Sequence, residues 1–551
     1  MTRPIIAYRG LAVLVVLFLD IAFPVLSSAQ SEVEGCAVEE DLIAGSCSTS
    51  DTAAVADRAD AAPAPYLFIS KRTLVVAPQD RYEVGTFKEG IFGDKYRDIW
   101  TTPLEVPVID LDETAGGLTP IDRGGGLQTT SLNLRGEDGH FYVLRSVDKS
   151  AALSLPEGFR GTFINSITQD QMSSLNPVGA LIVPPLSKAA GILHTHPTLV
   201  IIPDSPRLGE YRDEFARMLA QFERKPDEDQ SEAERFGYSE NIVGTTKLLE
   251  DLRDDNDNRV DEWAYARVRL FDMLIGDWDR HDEQWRWAEF ETEDGIRFVA
   301  VPKDRVFAFV KFDGFINRLG RKTGDIMLRR LVDFNERIPD VLGLNWQGSK
   351  PDLRFTASLT RNDWVAIADS LKNALTDEAI EEAVRTWPDA VFDRIGSMTI
   401  RNLQASRDQL PSVASEYYDI LAETVDVVGS DKHERFEVTR LNADETRVVV
   451  RKTKKEGDVV RELYHRVFRH DETSELRLYG LDGSDQFIVE GEADDGILVR
   501  MIGGDGADRF EDRSEVGGLG HMTRAHGGAT RGRRDERRHV HVLSGEYARR
   551  Q

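Results

Sequence analysis

A chain of 551 residues is long enough for two or three domains with real cores, and a formal net charge of −27 argues against a nucleic-acid partner. Its two cysteines, Cys36 and Cys47, cannot form a zinc site by themselves. Arginine outnumbers lysine 53 to 16, so the surface is acidic and lysine-poor, as suits a saline setting or a G+C-rich coding sequence.

The N-terminus has the composition of an export signal. Arg3 and Arg9 precede the apolar run from Leu11 to Phe18, and Ser27-Ser28-Ala29 offers a small-residue cleavage site. Asp20 and Pro24 lie inside the only long apolar stretch, which disfavours a spanning helix, and no later segment is apolar enough to make one. The expectation is a mature chain that begins near Gln30, exported to the periplasm, outer membrane or cell surface. Residues 30–64 read as a polar, alanine-rich linker, in which Cys36 and Cys47 can close a small loop in an oxidising compartment.

Residues 65–235 form the first expected unit. From Tyr66 to Lys149 the pattern is β-rich and punctuated by glycine. Gly116-Gly117 and Gly124-Gly125-Gly126 bracket a strand over 118–123. Two further strands, 127–134 and 140–147, pair around Gly136-Glu137-Asp138-Gly139. Glycine backbone can approach phosphates closely, because it lacks Cβ and offers free N–H donors. Two cations follow on the last of these strands. Arg145 sits in mid-strand and Lys149 just beyond it, and either can hold phosphate oxygens. Residues 170–192 read as a helix interrupted at Pro184-Pro185, and 208–222 as a clearer helix with Leu208, Tyr211, Phe215, Leu219 and Phe222 on one face. A carboxylate partner for the cation is expected here, with Asp170 or Glu214 as candidates. His194-Thr195-His196 has the spacing of a metal-ligand pair but lacks the further ligands such sites need, and reads as a structural loop. The acidic run Asp254–Asp261 fails the calcium-loop template, since Arg259 occupies the glycine position and Tyr265 the bidentate-glutamate position, and reads as an inter-helix loop.

The second unit, 236–425, contains the stretch around which the chemistry is organised. Asp261 is placed to cap a helix that buries Trp263, Val268, Phe271, Leu274 and Ile275, and Gly276 ends it. A polar loop, Asp277 to Gln284, leads into strands 285–291 and 296–301 joined across Glu293-Asp294-Gly295, a hairpin signal. The second strand delivers Asp304. Phosphoryl transfer needs one carboxylate to accept the acceptor's hydroxyl proton and another to hold the metal that neutralises the phosphates. Asp279 fits the first role, Asp304 the second, and Gln284 can assist at the metal. The plainer alternative is an acidic helix-end loop with Asp279 as an ordinary cap. Residues 363–425 then read as helices broken at Pro388 and Pro411.

From 426 to 516 the character is β-rich, with alternation over 435–440, 446–452 and 475–479. Gly503-Gly504-Asp505-Gly506-Ala507-Asp508-Arg509-Phe510 fits the nonapeptide of calcium-binding β-rolls, and Gly480 to Phe487 fits except at Leu481. Asp482, Asp485, Asp505 and Asp508 are therefore candidate calcium ligands. The two turns are 23 residues apart rather than 9, so the tandem stack that completes such sites is missing. Residues 517–551 carry eight arginines against three acidic residues without periodicity, and read as a disordered basic tail.

The segment LIGDWDRHDEQWRW, with Asp279-Arg280-His281 and Gln284 five residues after the aspartate, resembles the inverted D-R-H catalytic loop of atypical kinases. Such loops occur in phosphoinositide-type lipid kinases and in secreted kinases of the Golgi casein-kinase type. The segment also resembles uncharacterised exported bacterial proteins, often fused to an outer-membrane β-barrel. This chain ends without a barrel, as a truncated or frame-shifted member would. The resemblance implies a two-lobed kinase-like domain, and with residues 426–516 read from their turns as a small all-β, solenoid-like domain the expected fold class is α+β. The resemblance also implies an ATP-like nucleotide with Mg²⁺ or Mn²⁺, clamped by Arg145 or Lys149 under Gly124–Gly126, and an unknown hydroxyl acceptor. Two departures stand out. Gln284 replaces the Asn or Glu of those families, and Asp304 is followed by Arg305-Val306 rather than Phe-Gly. The competing expectation is a non-catalytic cell-envelope protein that uses a kinase-like fold to bind or scaffold a partner, since an exported bacterial protein meets little ATP.

Overall fold

The computed structural model describes residues 69–124, 129–150, 163–322, 326–494, 496–517, 522–527 and 541–542. The export signal, the linker with both cysteines, Gly125, Gly126 and most of the basic tail lie outside the described residues. The described chain is α+β, and none of its helices is long and apolar enough to cross a membrane.

Seven strands form the first sheet: β1 (Ile69–Val76), β2 (Leu104–Ile109), β3 (Leu118–Gly124), β4 (Ser131–Gly136), β5 (Phe141–Ser146), β6 (Thr198–Ile201) and β7 (Leu219–Arg224). Their order is β1-β2-β6-β7-β5-β4-β3. Leu132, Leu134, Tyr142, Leu144, Ala220 and Phe222 recur at strand spacing and bury one face against Leu208 and Phe215. The stretch 208–222, expected as one helix, is a 3₁₀ turn (Pro206–Tyr211), a short helix (Arg212–Phe215) and then β7, which lies inside the sheet. Gly209 at φ 54° and Arg217 at φ 65° break the helical path, and Ala220 and Phe222 then alternate into the core. Residues 170–192 are likewise several short pieces. Pro184 and Pro185 begin the helix Val183–Ala189, where their missing N–H groups cost nothing, rather than interrupting one.

The second unit opens with β8 (Ile242–Gly244) and β9 (Arg259–Val260), which flank the hairpin β10 (Trp285–Glu291) and β11 (Ile296–Pro302) in the order β8-β10-β11-β9. The hairpin is in antiparallel register from Trp285 opposite Pro302 to Glu291 opposite Ile296. Helix Glu262–Ile275 begins where Asp261 accepts the Ala264 N–H at 2.9 Å, and ends at Gly276 with φ 70°. Val268, Phe271, Leu274 and Ile275 are buried, whereas Trp263 is half exposed, one turn too early to reach the core. Helices Arg361–Ala374 and Ser397–Ala422 pack against it, and Asp377–Val384 packs on the second of these. Pro411 lies inside the last of these, because Leu410, Val413, Ala414 and Tyr417 bury on both sides of it and carry the helix through.

The third unit is built from parallel strands in two stacks. One runs β12 (Thr424–Val428), β16 (Glu475–Tyr479), β18 (Leu498–Ile502), β21 (Thr523–His526) and β22 (His541–Val542). The other runs β13 (Glu434–Arg440), β17 (Gln486–Ala493) and β19 (Arg509–Asp512), with the hairpin β14 (Glu445–Thr453) and β15 (Val459–Arg469) added to β13 and β20 (Glu515–Val516) paired to β17. Partners are 23 residues apart from β16 to β18 and from β17 to β19, as in Leu476 beside Val499 and Phe487 beside Phe510. Phe436, Phe487 and Phe510 stack in a column with ring centroids 4.7 and 5.1 Å apart.

A polar ladder runs beside that column. Asp485 Oδ1 accepts the Glu434 N–H at 2.8 Å, and Asp508 Oδ1 accepts the Asp485 N–H at 3.1 Å. A Cβ at Gly480 or Gly503 would strike Asp485 or Asp508, which accounts for both glycines. Asp505 is exposed, and Asp482 is half exposed, 4.0 Å from Arg253. Asp485 and Asp508 thus have a structural use that needs no ion, and among the described residues no group of three or more His, Cys, Asp or Glu is placed to hold a metal. Burial pushes the Asp485 carboxyl up to about 9. The Glu434 N–H bond opposes this rise, and the charges of Glu434 and Asp508 add to it. A carboxyl raised in the folded state binds a proton that the unfolded chain has released, so it costs stability progressively as pH rises from about 4 to about 9. Asp485→Asn should remove that slope and raise stability at pH 8 by more than about 1 kcal/mol, as read from urea midpoints across pH. An unchanged slope would place the titrating group elsewhere.

The acidic loop after residue 254 is the seat of this third unit. Asp257 pairs with Lys452 and Arg461, both at 2.6 Å, and Asn256 donates to Glu434 at 2.6 Å. Tyr464 and Arg466 add hydrogen bonds to the Ala357 carbonyl at 2.8 and 2.6 Å.

Candidate active site

Below the loop Asp277–Gln284 lies a buried chain of alternating charges. Arg269 donates to Asp352 at 2.8 Å and to Asp272 at 2.7 Å, Arg305 joins Asp272 to Asp277, and Asp277 accepts from Arg280 at 2.7 Å. Tyr265 and Tyr417 complete the shell of Asp352. Three guanidiniums face three carboxylates, almost wholly out of water, so the set is neutral and hydrogen-bonded as a buried ionic group must be. Arg280 also donates to the carbonyls of Lys303 at 3.1 Å and Asp304 at 2.9 Å. The middle residue of Asp-Arg-His is therefore the tie between the loop and the strand end that delivers the second aspartate.

On this platform the functional candidates point outward. Asp279 is half-buried. Gln284 presents its amide nitrogen to the Asp279 carboxylate at 3.5 Å and to His281 Nε2 at 3.3 Å. In the amide orientation that satisfies both neighbours, Gln347 donates to Asp279 Oδ1 at 2.8 Å and accepts from Arg330 at 3.2 Å, while Arg330 lies over the Trp278 ring. Neither Gln347 nor Arg330 carries a sequence signal, because both come from segments far downstream with no motif around them.

Asp304 has φ 56°, a left-handed backbone that few non-glycine residues adopt. Burial pushes its carboxyl up, but Arg145, Lys149, Arg280 and Lys303 together outweigh that and hold it below the usual carboxylate range. Lys149 is buried, with Nζ 5.0 Å from the centre of the Phe307 ring. Burial lowers its pKa, and the charges of Asp304 and Asp279 oppose the fall. Lys303, beside them, is pushed down to about 8 by burial and by Arg286 and Arg145.

The two cations of the first sheet differ in their commitments. Arg145 makes an ion pair with Glu223 on β7, and it also faces Asp304 electrostatically. The carboxylate partner of Arg145 is thus neither candidate named from the sequence. Asp170 is buried among Lys88, Lys95 and Arg97, and Glu214 pairs with Arg123 at the surface. Glu223 escaped notice because its segment reads as a helix face rather than as a strand.

Gly124 stands opposite Ser131, Ser131 opposite Arg145, and Arg145 opposite Gln221, so these residues form one row across β3, β4, β5 and β7. The described end of the glycine run is therefore in line with Arg145. Gly125 and Gly126 lie outside the described residues.

No family model and no curated protein matches the chain. Among solved structures it is similar to the Helicobacter pylori proinflammatory kinase CtkA, at 9% identity over 52% of this chain and 93% of that one, with a TM-score of 0.24. It is also similar to a Shewanella oneidensis MR-1 toxin–antitoxin complex of HipA, HipB and operator DNA, at 13% identity over 56% of this chain and 72% of that one, again with a TM-score of 0.24. At that TM-score neither likeness carries an argument about fold or function.

Proposed function

We propose that the first two units form a two-lobed, kinase-like domain that transfers a phosphoryl group from an ATP-like nucleotide to a hydroxyl acceptor. The observation that carries this reading is Lys149: a buried ammonium from the first unit lies in the field of both Asp304 and Asp279 from the second. A cation for phosphate oxygens, a carboxylate for a metal and a carboxylate for the acceptor proton are the charges phosphoryl transfer needs. Lys149 is the phosphate clamp, and Arg145, held by Glu223, adds a second positive charge facing Asp304. Asp304 holds the metal and Asp279 is the base. The donor set suits Mg²⁺ or Mn²⁺, which bind through one or two carboxylates together with substrate phosphates and need no all-protein cage. Export, removal of residues 1–29 and a solenoid-like third unit belong to the same proposal.

A second reading, a non-catalytic envelope protein that binds a partner through this fold, draws on Gln284. Its side chain is neutral and its amide nitrogen is turned toward Asp279 and His281, so Asp304 is the one anionic ligand assigned to the metal.

Calorimetric titration of the full chain separates the two. On the kinase reading, ATP and Mn²⁺ together give a binding heat that neither gives alone, and Lys149→Met weakens it by about tenfold or more, the worth of one partly desolvated charge contact. No binding heat with ATP and Mn²⁺ would hand the chain to the scaffold reading.

A further inference from the structure

We propose that a cleft along β2 and β6, lined also by Thr386 and Pro388 of the second unit, binds a small amphipathic carboxylate: an apolar body with one anionic end. The two strands meet at a single register pair, Val108 with Ile201. The cleft of about 480 Å³ lies along Glu105–Pro107 of β2 and Thr198–Leu199 of β6. That volume falls within the range of small-molecule sites, which are mostly apolar with a few placed polar groups. Val106, Leu181, Pro184, Leu199 and Pro388 supply the apolar wall.

Charge decides which end of a ligand goes where. Lys188, His194 and His196 line one side. Arg235 stands behind them, its backbone carbonyl accepting the His194 N–H at 3.0 Å. The His194 ring donates to the Ile192 carbonyl at 2.8 Å, and burial, with the cations nearby, lowers the pKa of both His194 and His196, so the positive charge on this side is that of Lys188 and Arg235. Among the described residues neither Lys188 nor Arg235 makes an ion pair, and Arg235 Nε is buried without a hydrogen-bond partner. The carboxylate of the lining, Glu105, is on β2 and is engaged by the Thr73 hydroxyl at 2.7 Å. An anion is thus drawn to the Lys188 side and repelled from the Glu105 side, while the apolar body fills the space between. Pro184, His194 and Pro197 are shared with the small polar pocket of Arg145, Glu223 and Asp304, so the cleft abuts the candidate active site without using its carboxylates.

The test is calorimetry of the full chain with octanoate and with octanol, which share a body and differ in charge. Octanoate should bind one per chain, and octanol at least about tenfold more weakly. Lys188→Glu, at an exposed position, should abolish the preference for octanoate. Leu181→Trp, which puts an indole on the apolar wall, should narrow the cleft and weaken binding of both while the unfolding transition stays in place. The proposal is overturned if octanoate gives no heat, if it binds no better than octanol, or if neither variant changes its binding.

Discussion

Arg305→Met should lower unfolding free energy by about 3–5 kcal/mol, the usual cost of removing one partner from a buried ionic group. Arg305 bridges Asp272 and Asp277, each about 1% exposed. Methionine fills similar volume but leaves two neighbouring carboxylates with only Arg269 and Arg280 to balance them. Adding Asp277→Asn should recover part of the loss, because the surplus buried charge disappears with it. Urea unfolding of the two single variants and the double variant measures this directly, and a coupling energy near zero would mean that the three groups are not one unit. The same residue accounts for the departure after Asp304. Its guanidinium reaches back to Asp277 and ties the turn at Asp304 to the loop Asp277–Gln284.

Asp304→Asn and Asp279→Asn should separate in a way no plain acidic loop would. Asparagine tolerates the left-handed backbone at residue 304 and keeps the side-chain volume, so the substitution removes charge and little else. If Asp304 holds the metal, metal-dependent nucleotide binding is lost. The base touches the acceptor hydroxyl rather than the nucleotide, so Asp279→Asn should keep that binding while transfer falls by about 10²–10⁴-fold, the usual worth of a general base. Titration with ATP and Mn²⁺, followed by a single-turnover transfer assay, reads both. Parallel behaviour of the two variants would assign the aspartates to local stability alone.

What the sequence made legible was local. The Asp261 cap, the Gly276 stop and the hairpin 285–302 are each specified within a few residues, and the structure has them within one residue of the expected bounds. The stretch 208–222 was not legible, because Leu208, Tyr211, Phe215, Leu219 and Phe222 have helical spacing while Gly209 and Arg217 adopt left-handed backbone that the spacing does not reveal. That one misreading hid Glu223. Gln347 and Arg330 were beyond reach for another reason: they approach Asp279 only through the tertiary fold. In the third unit the glycine-aspartate turns were visible, but not that Asp485 and Asp508 serve backbone N–H groups of the neighbouring layer.

The seating of the third unit on Asp257 makes that joint a mechanical fuse. Tension applied through the β-stack reaches the second unit in part through two partly exposed ion pairs, Asp257 with Lys452 and Arg461. Four residues further along, Asp261 holds the first turn of the helix that leads to the Asp277–Gln284 loop. Screened ion pairs at a surface are weak and yield first, and more readily as salt rises. The β-stack can therefore loosen at Asp257 first, while the bonds of Tyr464 and Arg466 to the Ala357 carbonyl still hold it and the helix cap stays as it is.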